Sequence, residues 1–176
     1  MVQKKQYSQH KRVLIPILFY GEGQAEEIFL KHIRKLYGYG TGIVITVRRG
    51  KGGAPSEVVR NILRCPGDYD KKIVMVDNDK SVGEMEEARE IAKERGVHLI
   101  ENTPCLEAFL LNILEGGNLK NRLSSDCKRK FESKYINKEQ RMESRRYEKI
   151  FTKRLLDIKR KKVENLDRLI SLMEGL

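Results

Sequence analysis

Ile73-Val74-Met75-Val76-Asp77-Asn78-Asp79 decides how this chain is read: a short apolar run that stops abruptly on two carboxylates. Four consecutive apolar residues, three of them β-branched, suit a strand covered on both faces. A second stretch repeats the pattern. Val13-Leu14-Ile15-Pro16-Ile17-Leu18-Phe19-Tyr20 runs into Gly21-Glu22-Gly23. If the two runs are neighbouring parallel strands, Glu22, Asp77 and Asp79 project from one sheet edge, where like charges repel unless a cation lies between them.

Helical and strand-like segments alternate around these two runs. Ala25–Tyr37 places Ile28, Phe29, Ile33 and Leu36 on one helical stripe. Ile43–Val47 is short and β-branched, and Ser56 can cap a helix running to Leu63. After the Lys72–Val76 strand, Glu84–Arg95 reads as a helix stopped by Gly96, and Val97–Ile100 as a fourth strand. Thr103 can cap a helix with Pro104 at its first position, ended by Gly116-Gly117. The order predicts an α/β fold: a Rossmann-like, mostly parallel sheet of about four strands flanked by helices. Ligands in such sheets bind outside the carboxyl ends of the strands, where Glu22, Asp77 and Asp79 fall.

Charge divides the chain into three parts. Residues 1–12 hold four basic and no acidic groups, a basic N-terminal arm. Residues 13–117 form the expected α/β domain, and 118–176 a basic helical extension, with 18 basic against 9 acidic residues over 119–176. The stretch between, 13–118, has 14 basic against 16 acidic residues. A near-neutral middle between basic ends suits an acidic site with a polyanion-binding periphery, and equally suits lysines that only solubilise exposed helices. Ser124–Lys134, Glu139–Leu156 and Lys159–Met173 read as the helices of the extension, packing on the sheet or offering a face to a protein partner.

Composition removes several classes of function. Cys65, Cys105 and Cys127 are odd in number and never form C-x-x-C, against a disulfide framework or a zinc cage. His10, His32 and His98 are equally scattered. The N-terminal apolar run spans only about eight residues with no small-residue cleavage site, and no segment nears the roughly 20 apolar residues of a membrane helix. A cytoplasmic protein without a membrane partner is the expectation.

Four constellations carry the chemistry. Asp77 and Asp79, spaced i, i+2, can face one direction and supply oxygen ligands for Mg²⁺ or Mn²⁺; the same residues suit a polar turn. Lys80 follows, within reach of a phosphate. Glu22 sits in a glycine-flanked turn that allows close approach of a ligand, but G-E-G lacks the lysine of a phosphate-binding P-loop. Arg48-Arg49-Gly50-Lys51-Gly52-Gly53 is a basic, glycine-rich loop suited to a nucleic-acid backbone, or simply to the surface. Glu107 falls in the first turn of the fourth helix, as an acid favoured by the helix dipole or as a further site acid. Cys105 lacks a credible histidine base, so it does not read as a nucleophile.

Together these segments resemble the RloB-like family of Toprim proteins, whose fold is shared with topoisomerases, bacterial primases and OLD-type nucleases. The resemblance spans about residues 12–116. It rests on Phe19-Tyr20-Gly21-Glu22-Gly23 with Glu26-Glu27-Ile28-Phe29, on Gly50-Lys51-Gly52-Gly53-Ala54-Pro55, on Met75-Val76-Asp77-Asn78-Asp79, and on Asn102-Thr103-Pro104-Cys105-Leu106-Glu107-Ala108-Phe109-Leu110-Leu111. Leu106 stands where that family's pattern has an aromatic residue, and the residues after the D-x-D are less acidic. The resemblance implies a Toprim-like domain over 13–117, with Glu22 as general acid/base or metal ligand and Asp77 and Asp79 as D-x-D ligands of Mg²⁺ or Mn²⁺. It makes Glu107 a further catalytic acid and Glu26 a site residue of second rank.

The function so implied is metal-dependent phosphodiester hydrolysis on DNA or RNA, in the setting of mobile-element or phage defence. Arg48, Arg49, Lys51 and Lys80 would then contact the nucleic acid. A non-catalytic nucleic-acid- or partner-binding module of the same fold is the alternative. A phosphoacceptor receiver is disfavoured, because it needs an acidic pair after the first strand and a lysine after a fifth.

Overall fold

The computed structural model describes residues 14–117, 119–137 and 139–176. The basic arm of residues 1–12, and with it His10, lies outside them. Four strands form one all-parallel sheet: β1 (Ile15–Gly21), β2 (Ile43–Arg49), β3 (Lys71–Asp77) and β4 (Val97–Asn102), in the order β2-β1-β3-β4. The first two connections run through α1 (Gln24–Tyr37) and α2 (Pro55–Leu63), and the third through α3 (Val82–Glu94). The α/β, Rossmann-like expectation therefore holds, with every strand pair parallel.

Side-chain alternation explains why the central strands read as unbroken apolar runs. Ile17 and Phe19 of β1, with Ile73 and Met75 of β3, enter the core beneath α1 and α4 (Leu106–Glu115). Leu18 and Tyr20, with Val74 and Val76, enter the second core beneath α2 and α3. A strand covered on both faces has no polar side to display.

The edge strand β2 presents outward groups along its free side. Arg34 of α1 donates from Nη1 to the Ile45 carbonyl at 3.2 Å, which places a charged side chain on an otherwise open strand.

Several helix boundaries differ from expectation for identifiable reasons. α2 starts at Pro55 after Ala54, so Ser56 is not its cap; it is buried and accepts from Arg60 Nη1 at 3.2 Å. α3 starts two residues early because Ser81 and Glu84 close a capping box: Ser81 N–H donates to Glu84 Oε2 at 3.1 Å and Glu84 N–H to Ser81 Oγ at 3.4 Å. Thr103–Pro104 is a cis peptide, and α4 begins only at Leu106, so Thr103 does not cap it.

The extension holds α5 (Ser124–Lys134), a 3₁₀ turn (Gln140–Met142), α6 (Ser144–Ile150), α7 (Lys153–Lys159) and α8 (Glu164–Glu174). The single helix expected over Glu139–Leu156 is thus three pieces. Its last break falls at Thr152, whose Oγ1 accepts from Leu155 N–H at 3.3 Å and starts α7 afresh. Phe131, Tyr147, Phe151, Leu166 and Ile170 of these helices are fully buried in the same core as Phe29 and Phe109. The extension completes the α1/α4 face of the sheet.

Candidate functional site

The sheet order creates a topological switch point between β1 and β3, since the chain leaves β1 toward β2 and returns to β3 on the other side. Gly21 lies in register with Met75, so the two strands end side by side. Glu22 N–H continues the ladder to the Met75 carbonyl at 3.1 Å, and Asp77 N–H donates to Glu22 Oε2 at 3.1 Å. The two acids that end the two apolar runs are directly bonded at the crevice.

Three further carboxylates surround this pair. Asp77 Oδ1 accepts from the Leu106 N–H at the start of α4 at 2.8 Å and from Asn102 Nδ2 at 3.4 Å. Glu26 is 7% exposed and its Oε2 accepts from Gly23 N–H at 2.9 Å. That contact is half of a capping box, because a glycine cap has no side chain to complete the other half. Glu107, 5% exposed, lies in the first turn of α4 as expected. Asp79 is more open and stands 3.8 Å from Lys80 Nζ.

Burial is the dominant electrostatic fact, with like-charge crowding second. Burial, then the charges of Glu26, Glu22 and Glu107, push the Asp77 carboxyl up to about 8. Burial also raises Glu22, with Asp79 adding to the effect against the Asp77 N–H bond; burial raises Glu26 as well. Asn102 Oδ1, fully buried next to Asp77, has no hydrogen-bond partner among the described residues. Such groups cost free energy unless something positive reaches them.

The extension supplies cations that local sequence patterns did not reveal. Arg141 donates to Glu107 Oε1 at 2.6 Å and stands 3.0 Å from Glu132. The first turn of α5 meets the start of α4, where Cys105 Sγ lies 3.9 Å from the Ser124 carbonyl. Lys128 follows one helical turn later on the same side. Burial opposes its charge, but Glu107, Asp77 and Asp79 lift the Lys128 ammonium above its ordinary range. Lys128 has no ion pair within 4 Å among the described residues. Nothing in the spacing of 118–176 announces either cation, because their position depends on how the helices dock.

The glycine-rich loop wraps the first acid: Gly50 N–H donates to the Gly21 carbonyl at 2.8 Å and Gly52 N–H to the Glu22 carbonyl at 3.0 Å. Gly52 needs its glycine for a φ of 75°. Gly21 needs it for space, since a Cβ there would stand 2.5 Å from Glu26 Cβ. Gly21→Ala should therefore lower the melting temperature by several degrees, a loss of about 1–3 kcal/mol from overpacking; a wild-type melting curve would refute this account. Of the expected backbone contacts, Arg49 is tied to Glu27 at 3.6 Å. Arg48 lies near the end of β2 and Lys51 just beyond it, while Lys80, three residues past β3, stands 3.8 Å from Asp79. Cys105 is fully buried, and burial pushes its thiol up to about 12, which rules out a thiolate nucleophile at neutral pH.

Among the described residues, no group of three or more His, Cys, Asp or Glu side chains is disposed as a metal cage. The donor set is nonetheless hard oxygen under like-charge crowding, with an orphaned carbonyl beside it. Mg²⁺ commonly takes one or two protein carboxylates and completes its shell with water and substrate phosphate. Glu22 and Asp77, with Asp79 alongside, fit that requirement without a cage. A cleft of about 400 Å³ lies elsewhere, lined by Ala108, Phe109 and Asn112 of α4 and the start of α8; Glu101 and Thr103 line it, but none of the clustered acids does.

The fold and site define a doubly wound α/β protein with carboxylates gathered at its switch point. Compared with protein-family models, curated proteins and solved structures, the chain matches none. No helix among the described residues is long and apolar enough to cross a membrane.

Proposed function

We propose that this protein is a Toprim-type nuclease that hydrolyses phosphodiesters in DNA or RNA with Mg²⁺ or Mn²⁺, in a setting of mobile-element or phage defence. One observation carries the reading: the Asp77 N–H to Glu22 Oε2 bond at the switch point, inside a carboxylate cluster that raises Asp77 to about 8. When bound by Glu22, Asp77 and Asp79, the metal would polarise the scissile phosphate and activate water.

The chain's own groups do the rest. Asp77 commits Oδ1 to Leu106 and Asn102, which fixes its carboxylate plane. Glu22, held through Oε2, keeps Oε1 either to ligate the cation or, where Asp77 and Asp79 alone hold it, to take or give a proton. Its raised pKa keeps the proton closer to neutral pH than on a surface glutamate, as general acid chemistry on a leaving oxygen requires. Arg141 balances the charge of Glu107. Lys128 and Lys80 provide attraction for the substrate phosphate, and Arg48 and Lys51 extend it along the backbone.

The test is cleavage of single- and double-stranded DNA and RNA across Mg²⁺ and Mn²⁺. Asp77→Ala should lower cleavage about 100-fold or more with binding retained; undiminished cleavage would end the proposal. The Arg141 pair on Glu107 favours a second reading, a non-catalytic nucleic-acid-binding module. Binding with steep salt dependence and no cleavage of any substrate would establish it instead.

A further inference from the structure

Asn78, between the two aspartates, does not point idly into solvent. Its Nδ2 donates to Glu101 Oε2 at 3.0 Å and approaches Thr103 Oγ1 at 3.4 Å, while its N–H extends the β3–β4 ladder to the Asn102 carbonyl at 2.8 Å. Glu101 is itself held from both sides of β4. Arg89 of α3 grips its carboxylate in a fork, Nε to Oε1 at 2.8 Å and Nη2 to Oε2 at 2.7 Å. Asn165 of α8 donates to its carbonyl at 2.8 Å. Both carboxylate oxygens of Glu101 are thereby occupied, one of them shared with Asn78.

A bidentate arginine–carboxylate pair fixes a plane as well as a distance. That plane is transmitted to the Asn78 amide, and Asn78 is covalently flanked by Asp77 and Asp79. The turn after β3 is short and carries no glycine between residues 77 and 80, so orienting its middle side chain constrains the carboxylates on either side. A surface salt bridge alone contributes little to stability. Arg89–Glu101 differs because its free acceptor capacity is spent on the turn that carries the site acids.

We propose that Glu101 is a positioning residue: through its bond to Asn78, and braced by Arg89, it sets the Asp77-Asn78-Asp79 turn in the geometry that receives a divalent cation. The role rests on the metal-dependent reading above for its consequence, and on the Arg89–Glu101–Asn78 chain for its geometry. Partners of ligating carboxylates typically change metal affinity by about 10- to 100-fold when removed. Glu101→Gln removes the charge that organises both donors while keeping size and one acceptor oxygen.

Two measurements on the full chain test it, with Mn²⁺ as the probe. The first is Mn²⁺ affinity by electron paramagnetic resonance in wild type, Glu101→Gln, Asn78→Ala and the double variant. Expected are losses of about 10-fold in each single variant and no further loss in the double variant. Glu87→Gln, which disrupts the comparable Arg60–Glu87 contact at 2.6 Å away from the turn, should leave affinity unchanged. The second is metal-free: the Asn78 side-chain amide signals and the amide exchange of residues 77–80 by NMR, which should shift and accelerate in Glu101→Gln with little change in melting temperature. Wild-type Mn²⁺ affinity in Glu101→Gln, or unaltered Asn78 signals, would overturn the proposal. If wild type itself binds no Mn²⁺, the nuclease reading fails, and the NMR arm still decides whether Glu101 positions the turn.

Discussion

Asp77→Asn should make the metal-free protein more stable at neutral pH while removing its divalent-metal response. The folded Asp77 carboxyl titrates near 8, against 3.8 for the unperturbed group, because burial and the charges of Glu26, Glu22 and Glu107 disfavour its ionised form. A group raised on folding contributes fully below its unfolded pKa. Its contribution is lost progressively as pH climbs from about 4 to about 8 and is constant above that. Wild type should therefore lose stability across that window in EDTA. Asparagine keeps an acceptor for the Leu106 N–H, offers an amide to the neighbouring carboxylates and has no charge to bury. The gain at pH 7 is on the order of 2 kcal/mol, or roughly 4–8 °C in melting temperature for a chain of this size. Added Mg²⁺ or Mn²⁺ should raise the melting temperature of wild type and not of Asp77→Asn. Melting curves at pH 4, 6 and 8 with and without metal provide the check. Equal pH profiles for the two proteins would show that Asp77 is not strained by its neighbours. Stability gained by removing a site acid marks a cluster arranged for something other than folding.

Most of this cluster was legible because strands announce their ends. A parallel strand buried on both faces must be apolar until it leaves the sheet, so the first carboxylate after Val76 or Gly21 has to lie at the edge. Glu22 and Asp77 were located by that logic, and Glu107 by its place in the first turn of a helix. Three features needed the folded chain. The order β2-β1-β3-β4, which makes β1 and β3 neighbours, is set by which hydrophobic faces pair. Glu26 looks like an ordinary helix-start acid, and it is one, since it accepts from the Gly23 N–H; in the sequence only the family resemblance marked it, and burial near Asp77 adds it to the cluster. Lys128 and Arg141 are two among 18 basic residues after position 118, and only docking of α5 and the 3₁₀ turn against α4 singles them out. Two of the helix boundaries that shifted did so at Ser81 and Thr152, where a side-chain oxygen starts a new helix by capping it. Arg49 read as a nucleic-acid backbone contact because of its basic neighbours, yet Glu27 of α1 already pairs with it.

Phe151→Ala tests whether the basic extension is an appendage or part of the folded unit, and its expected effect is the largest of all. Phe151 caps α6 and is fully buried; its ring meets Phe29 of α1 edge-on at 5.5 Å and lies 6.1 Å from Tyr147. Phe29 in turn meets Phe109 of α4 at 5.9 Å, so one aromatic chain joins the extension to both helices that flank the acidic edge. With Nε2 as donor, His32 of α1 bonds the Phe151 carbonyl at 2.7 Å, a contact that polar surface packing would not bury. Truncating a buried phenylalanine costs about 3–5 kcal/mol, which predicts a drop of roughly 10 °C or more. Because Phe29 and Phe109 belong to the same core as Ile17, Phe19 and Met75, the loss should appear as one cooperative transition, with faster amide exchange in β1 and β3 as well as in α6. Two separate transitions, with the protection of β1 and β3 unchanged, would instead make the extension an independent tail. The outcome bears on the site, because Arg141 and Lys128 reach Glu107 and Asp77 only while the extension is docked: an extension that melts first would strip the acidic edge of its cations before the sheet itself unfolds.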